Sequence, residues 1–234
     1  MSAAKGTVEK EQRLWVSVDW GKAPKGTANA SLTIEGAGTS ATFQLQAVNT
    51  LTPARSNVRG FVEADGYVSI EAEYFTRKTD AGPAHWEKID DYGRTLSAMT
   101  LFPVAAAGMT PPHSPCLEYD MYLFDPGNVE VEAILAPTLN FVPGRGLRYA
   151  ISFDGQPPQT IDALAHNSQP DWETTVKDSV RKVKSSHTLS GSGYHTLKVW
   201  MVDPNVVLEK LVVDLGGVKP SYLGPPESYH STQK

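Results

Sequence analysis

Short runs of alternating apolar and polar residues, cut by Gly- and Pro-rich turns, recur along nearly all of this 234-residue chain. A two-residue period puts successive side chains on opposite faces, so each run reads as a strand of a sheet with one wet side. The candidate strands are "RLWVSV" (13–18), "ASLTI" (30–34), "TFQLQAV" (42–48), "YVSIEAEYF" (67–75), "TLSAMTLF" (95–102), "LEYDMYLF" (117–124), "VEVEAIL" (129–135), "LRYAISF" (147–153), "YHTLKVWMV" (194–202) and "VVLEKLVVD" (206–214). Many short strands with regular turn signals make an all-β chain, of the β-sandwich type. One stretch breaks the period. In "PDWETTVKDSVRKV", Trp172, Val176, Val180 and Val183 recur at helical spacing behind Asp171 as N-cap, which predicts one short amphipathic helix.

A polar, turn-rich segment at 49–60 predicts a boundary, giving a small β segment over 1–57 and a sandwich over 58–215. The first holds about three strands, few for an independent sandwich. The end of the chain from Gly216, "GGVKPSYLGPPESYHSTQK", reads as an extended wrap and not as a strand.

The net charge of -5, with basic residues scattered, excludes a phosphate-backbone footprint and so a nucleic-acid partner. The basic cluster at Val180–His187 reads as a solvated helix end. A single cysteine, Cys116, excludes an intramolecular disulfide and a Cys-rich metal site. No apolar run approaches the roughly 20 residues of a membrane helix, and the first residues carry no apolar signal-peptide core. The chain is therefore expected to be intracellular, or to be part of a longer exported protein.

No nucleophile elbow, P-loop, zinc-protease or dinucleotide motif is present, and the six histidines show no metal-ligand spacing. Acidic pairs stand at Glu71/Glu73, Glu118/Asp120 and Asp90/Asp91. Residues at i and i+2 of a strand point the same way, with Cα atoms about 6–7 Å apart. Parallel carboxylates suit a solvated face or a grip on a hard cation such as Ca²⁺ better than two sides of a glycosidic bond. Sugar faces are recognised by aromatic rings and planar polar groups. In loops, Trp86, Tyr92, Trp172 and Tyr222, with Arg94, Asn167, Asp203 and Asn205, are placed for this, whereas Trp15, Trp20 and Trp200 read as core.

"GYVSIEAEYF" and "GYHTLKVWMVDPNVVLEKLVVDLGG" resemble the first and last strands of carbohydrate-binding modules of families 6 and 35. The segments "VSVDWGKAPKG", "GFVEADGYVSIEAE", "YGRTLSAMTLFP", "LEYDMYLF", "LAPTLNF", "YAISFDGQPPQ", "HTLKVWMVDP" and "SYLGPPES" more closely resemble the C-terminal region of family 115 glycoside hydrolases, the xylan α-1,2-glucuronidases, from about residue 13 to 229. The resemblance implies a jelly-roll-type sandwich preceded by the end of a smaller, Ig-like β-domain. It implies that the catalytic domain lies outside this chain, and that this region is accessory, serving xylan binding or subunit association. It also implies structural calcium held by Glu71 and Glu73, with Glu209 in the place of a last-strand Asp. Val207 stands where the modules carry a sugar-binding Asn, and Asn205 is near but out of register.

The expected function is thus a non-catalytic module for xylan or glucuronoxylan, with Trp86, Tyr92, Arg94, Trp172 and Asn205 as sugar contacts. The alternative is a structural or dimerisation module with no ligand of its own, associated with a catalytic domain.

Overall fold

A computed structural model describes residues 4–8, 14–49, 53, 57–124, 126–142 and 144–231. The chain divides into two compact units, Met1–Val58 and Arg59–Lys234.

In the first unit, β1 (Gly26–Gly36) and β2 (Thr39–Asn49) form an antiparallel hairpin in which Gly36 faces Thr39. The two-residue loop between them, Ala37 and Gly38, has φ of 50° and 76°. Both angles positive is the turn that matches the natural twist of a hairpin. The strands predicted at 30–34 and 42–48 are therefore present and longer than expected. The strand predicted over 13–18 is not: its described part, 14–18, is irregular. Trp15 and Trp20 are 62% and 40% exposed, so neither is a core residue.

The second unit is a two-sheet sandwich. Its elements are β3 (Gly60–Val62), β4 (Tyr67–Glu71), β5 (Arg77–Thr79), β6 (His85–Asp90), β7 (Ser97–Phe102), β8 (Cys116–Leu123), β9 (Asn128–Leu135), β10 (Arg148–Phe153), β11 (Gln159–Asp162), α1 (Gln169–Asp178), β12 (Arg181–Thr188), β13 (Gly193–Met201), β14 (Val207–Asp214) and β15 (His230–Ser231). One sheet runs β11-β10-β13-β8-β3-β15 with β5 also on β8, and the other runs β12-β9-β14-β7-β6 with β4 also on β14. The pairings are antiparallel except for β3 with β8. Leu197, Val199 and Met201 of β13 and Leu117, Tyr119, Met121 and Leu123 of β8 face inward to one core with Phe61, Ile70, Trp86, Tyr149 and Phe153. The alternation read from the sequence is what fills this core from both sheets.

Three elements depart from expectation. The helix ends at Asp178 and its N-cap is Ser168, whose hydroxyl and the Asp171 carboxylate form a reciprocal capping box. Ser179 closes it in the left-handed region at φ 57°. Val180 and Val183 therefore lie beyond the helix, and Val176, inside it, is exposed. The segment expected as a solvated helix end is β12, which pairs along its whole length with β9.

The C-terminal segment belongs to the sandwich. Asp214 Oδ1 accepts the N–H groups of Gly216, Gly217 and Val218 and turns the chain back. A Cβ on Gly217 would lie 1.7 Å from the Asp65 carbonyl, so only glycine fits that crossing. Val218 then packs on Ile134, Val180 and Val212, the outer face of the second sheet. This covers Val212, one of the seven consecutive buried positions of β14 from Val207 to Val213. Further on, Ser69 and Ser228 exchange two hydrogen bonds of 2.9 Å, and the segment closes as β15 against β3, where a strand was not expected.

Candidate functional site

The three glutamates singled out by sequence arrive from two adjacent strands. Glu71 is the last residue of β4, Glu73 stands in the turn that follows, and Glu209 lies on β14. Lys210 is the register partner of Glu71. Between Leu208 and Lys210 the pairing with β9 slips by one residue, so Glu209 is the extra residue of a β-bulge. A bulge re-aims side chains locally, and here both Glu209 and Lys210 end up buried.

Glu71 has both oxygens engaged. Oε1 accepts from Lys210 Nζ at 3.0 Å, and Oε2 accepts from the Thr95 hydroxyl at 2.7 Å. Glu73 turns to Lys88, 3.0 Å away, which also meets Asp90 at 2.6 Å. Glu209 lies beneath the 91–96 loop: its Oε2 accepts the Arg94 backbone N–H at 3.2 Å, while Oε1 has no hydrogen-bond partner. Burial raises the Glu209 carboxyl above its ordinary pKa, against the Arg94 charge and with help from Glu71. Glu227, from the C-terminal segment, is pushed up to about 6 by burial and by Glu71 and Glu73, with Lys210 opposing.

The residues therefore do not assemble the calcium ligand set that was expected. An ammonium holds one Glu71 oxygen, Glu73 faces a different lysine, and no group of three acidic, His or Cys side chains gathers to hold a metal among the described residues.

Above this buried cluster sits a surface built by three segments. Gly93, at φ 91°, lets the loop lie on Glu209, whose Cδ would be 2.7 Å from any Cβ there. The next residue, Arg94, spends its guanidinium on backbone carbonyls: Nε and Nη2 donate to Asp178 at the end of α1, and Nη1 donates to Tyr222. The Tyr222 ring lies over that guanidinium at 4.0 Å and is 63% exposed. Tyr92, in the same loop, is also exposed.

The other predicted sugar contacts are dispersed. Trp86 is not in a loop: it lies on β6, fully buried in the core, and cannot meet a sugar. Trp172 is half-buried on α1. Asn205, in the left-handed region at φ 71°, forms the turn before β14, its carbonyl accepting from Thr138. Asp203 is buried and held by Arg148 at 2.8 Å, and Asn167 accepts from Arg181. The structure thus joins Arg94 to Tyr222, holds the Arg94 guanidinium on two backbone carbonyls, and adds Thr95 and Lys210, which sequence reasoning missed. Lys210 had a legible signal, being the neighbour of Glu209 in a strand whose other residues before Asp214 are apolar.

The sequence matches the family model described as the glycosyl hydrolase family 115 C-terminal domain over residues 60–227, well over half of the chain. The chain belongs to that family. Its matched region takes in the C-terminal segment as far as Glu227, including Val218 of the strap. No curated protein matches the sequence. Among solved structures, it is similar to a family GH115 4-O-methyl-α-glucuronidase, BtGH115A, with specificity for decorated arabinogalactans, at 21% identity and TM-score 0.45, covering 59% of this chain. The chain spans 17% of that enzyme's length. It is also similar to the C-terminal CBM6 of the laminarinase LamC from Zobellia galactanivorans (12% identity, 63% of this chain and 98% of that one, TM-score 0.42). A family 35 carbohydrate-binding module from Clostridium thermocellum matches at 12% identity, 63% of this chain, 96% of that one and TM-score 0.41. The family assignment rests on the sequence match. No helix is long and apolar enough to cross a membrane among the described residues.

Proposed function

We propose that this family 115 C-terminal domain is a non-catalytic carbohydrate-recognition module that engages xylan or glucuronoxylan, as the accessory part of a secreted or periplasmic glycoside hydrolase. The observation that carries the reading is Tyr222. Its ring is exposed and lies over a guanidinium that three hydrogen bonds pin in place. A sugar stacks best on a ring that loses no freedom on binding. The ring face turned away from Arg94 meets that condition. That Glu71 is engaged by Lys210 and Thr95 and Glu209 is enclosed beneath the Arg94 loop supports a non-catalytic reading.

Affinity electrophoresis on glucuronoxylan, with calorimetry on aldouronic acids, tests the proposal. Wild-type protein is expected to be retarded, and Tyr222→Ala to weaken binding about tenfold, the scale of one stacking contact. Tyr222→Phe should bind as wild type. No binding at millimolar ligand, or equal binding by Tyr222→Ala, overturns it. A dimer in light scattering together with absent glycan binding would instead favour a structural module.

A further inference from the structure

Glu71, one of the residues that sequence resemblance marked as a calcium ligand, is paired instead with Lys210. Both side chains are nearly inaccessible, at 7% and 4%, and their oxygen and nitrogen lie 3.0 Å apart. Burying one charge without the other is strongly unfavourable, so the two residues stand or fall together. They also bridge β4 and β14, the strands that carry the glutamates.

We propose that the Lys210 ammonium stands where a divalent cation would be expected in this sandwich, and that the β4–β14 junction is held together without calcium. Three observations converge on it. First, calcium takes oxygens at about 2.3–2.6 Å and needs six to eight of them. Glu71 Oε1 is already 3.0 Å from a fixed positive charge, and Oε2 is satisfied by Thr95. Second, the bulge at Glu209 sets an acidic and a basic residue side by side on β14, both buried. Third, the remaining glutamate of the pair faces Lys88. Two lysines and one hydroxyl therefore take up the charge and hydrogen bonding that a cation would supply, in a site whose parts come from β4, β6, β14 and the 91–96 loop.

The test uses the full chain, dialysed against EDTA and then titrated with calcium chloride, followed by calorimetric unfolding. Wild-type protein is expected to unfold at the same temperature, within about 1 °C, with EDTA or with calcium. A resident calcium site at a hundred times its Kd would raise the midpoint by about 5–10 °C, and that result overturns the proposal. Lys210→Met removes the ammonium and leaves Glu71 unpaired. It should unfold at a lower temperature, by the same amount in EDTA and in calcium, because Thr95 still holds Glu71 Oε2, Lys88 still holds Glu73, and one freed oxygen does not supply the six to eight that calcium takes. Unchanged stability of K210M, or a loss that calcium reverses, overturns the proposal. If K210M does not accumulate folded, Lys210→Gln, which can still hydrogen-bond Glu71, should lose less stability and be equally indifferent to calcium, and a rise of its midpoint with calcium overturns the proposal.

Discussion

His187 faces the core from β12, with Nε2 2.8 Å from the Ser185 hydroxyl and its ring edge-on to Phe153 at 5.4 Å. Burial lowers its pKa from the ordinary imidazole value. The folded protein therefore binds this proton less readily than the unfolded chain. The stability it contributes is fully present above about pH 6.5 and is lost as pH falls through the lower, folded value. Urea midpoints should accordingly drop between pH 7 and pH 5, and His187→Gln should make that drop shallower; an unchanged slope would contradict the assignment. Nothing in "SSHT" announced this, because burial of a polar pair depends on which face of β12 meets the core. Trp86 teaches the same point from the other side. In "AHWEKID" the neighbours are polar and the alternation is weak, so the ring reads as a loop residue, yet pairing of β6 with β7 turns it fully inward. Tyr222 and Arg94 were both visible as loop residues, but their stacking depends on a contact across 128 positions of sequence.

At the scale of elements, strands rich in apolar residues were legible whether or not their burial alternates, and β12, whose residues are mostly polar, was not. β8 and β13 alternate cleanly, and their expected bounds fall within a residue or two of the observed ones. β12 was hidden because "VRKVKSSH" carries three basic residues, two of them on the wet face, and follows a helix whose apolar spacing runs on through Val180. Ser179 breaks that continuity by entering the left-handed region, a conformation that spacing alone does not reveal. The C-terminal segment lacks any period, since its contacts come from a proline-rich chain laid across a sheet. Its importance follows from what it covers: Val212, Ile134 and Val180 would be open to water without Val218 and its neighbours. Ending the chain after Leu215 is therefore expected to expose this apolar face, remove β15 and lose the Ser69–Ser228 bonds. The shortened protein should bind a hydrophobic dye and unfold at a midpoint at least several degrees lower; wild-type dye binding and midpoint would show that the strap is dispensable.

The molecule as a whole places nearly all of its buried apolar residues in one unit. Apart from Val58 at the boundary, every residue of the described core lies between Phe61 and Val213, whereas Ile34, Phe43 and Val48 of the hairpin are exposed. The turn-rich stretch at 49–60 and the few strands before it suggested a small N-terminal segment short of an independent sandwich, and the hairpin's residues Ile34, Phe43 and Val48 are exposed. A two-stranded ribbon without a packed face is marginal in water, while a two-sheet sandwich with a continuous core has the burial to offset chain entropy. A protein consisting of residues 59–234 should then unfold in a single cooperative transition near the full chain's main midpoint. Specific enthalpies of globular domains put its heat of unfolding at about 120 kcal/mol near 60 °C. A peptide of residues 14–49 should show fast amide exchange and little strand signal by circular dichroism. A stably folded peptide would contradict the marginal stability expected of the hairpin, and loss of cooperativity in residues 59–234 would show that the stability of the sandwich depends on the N-terminal segment.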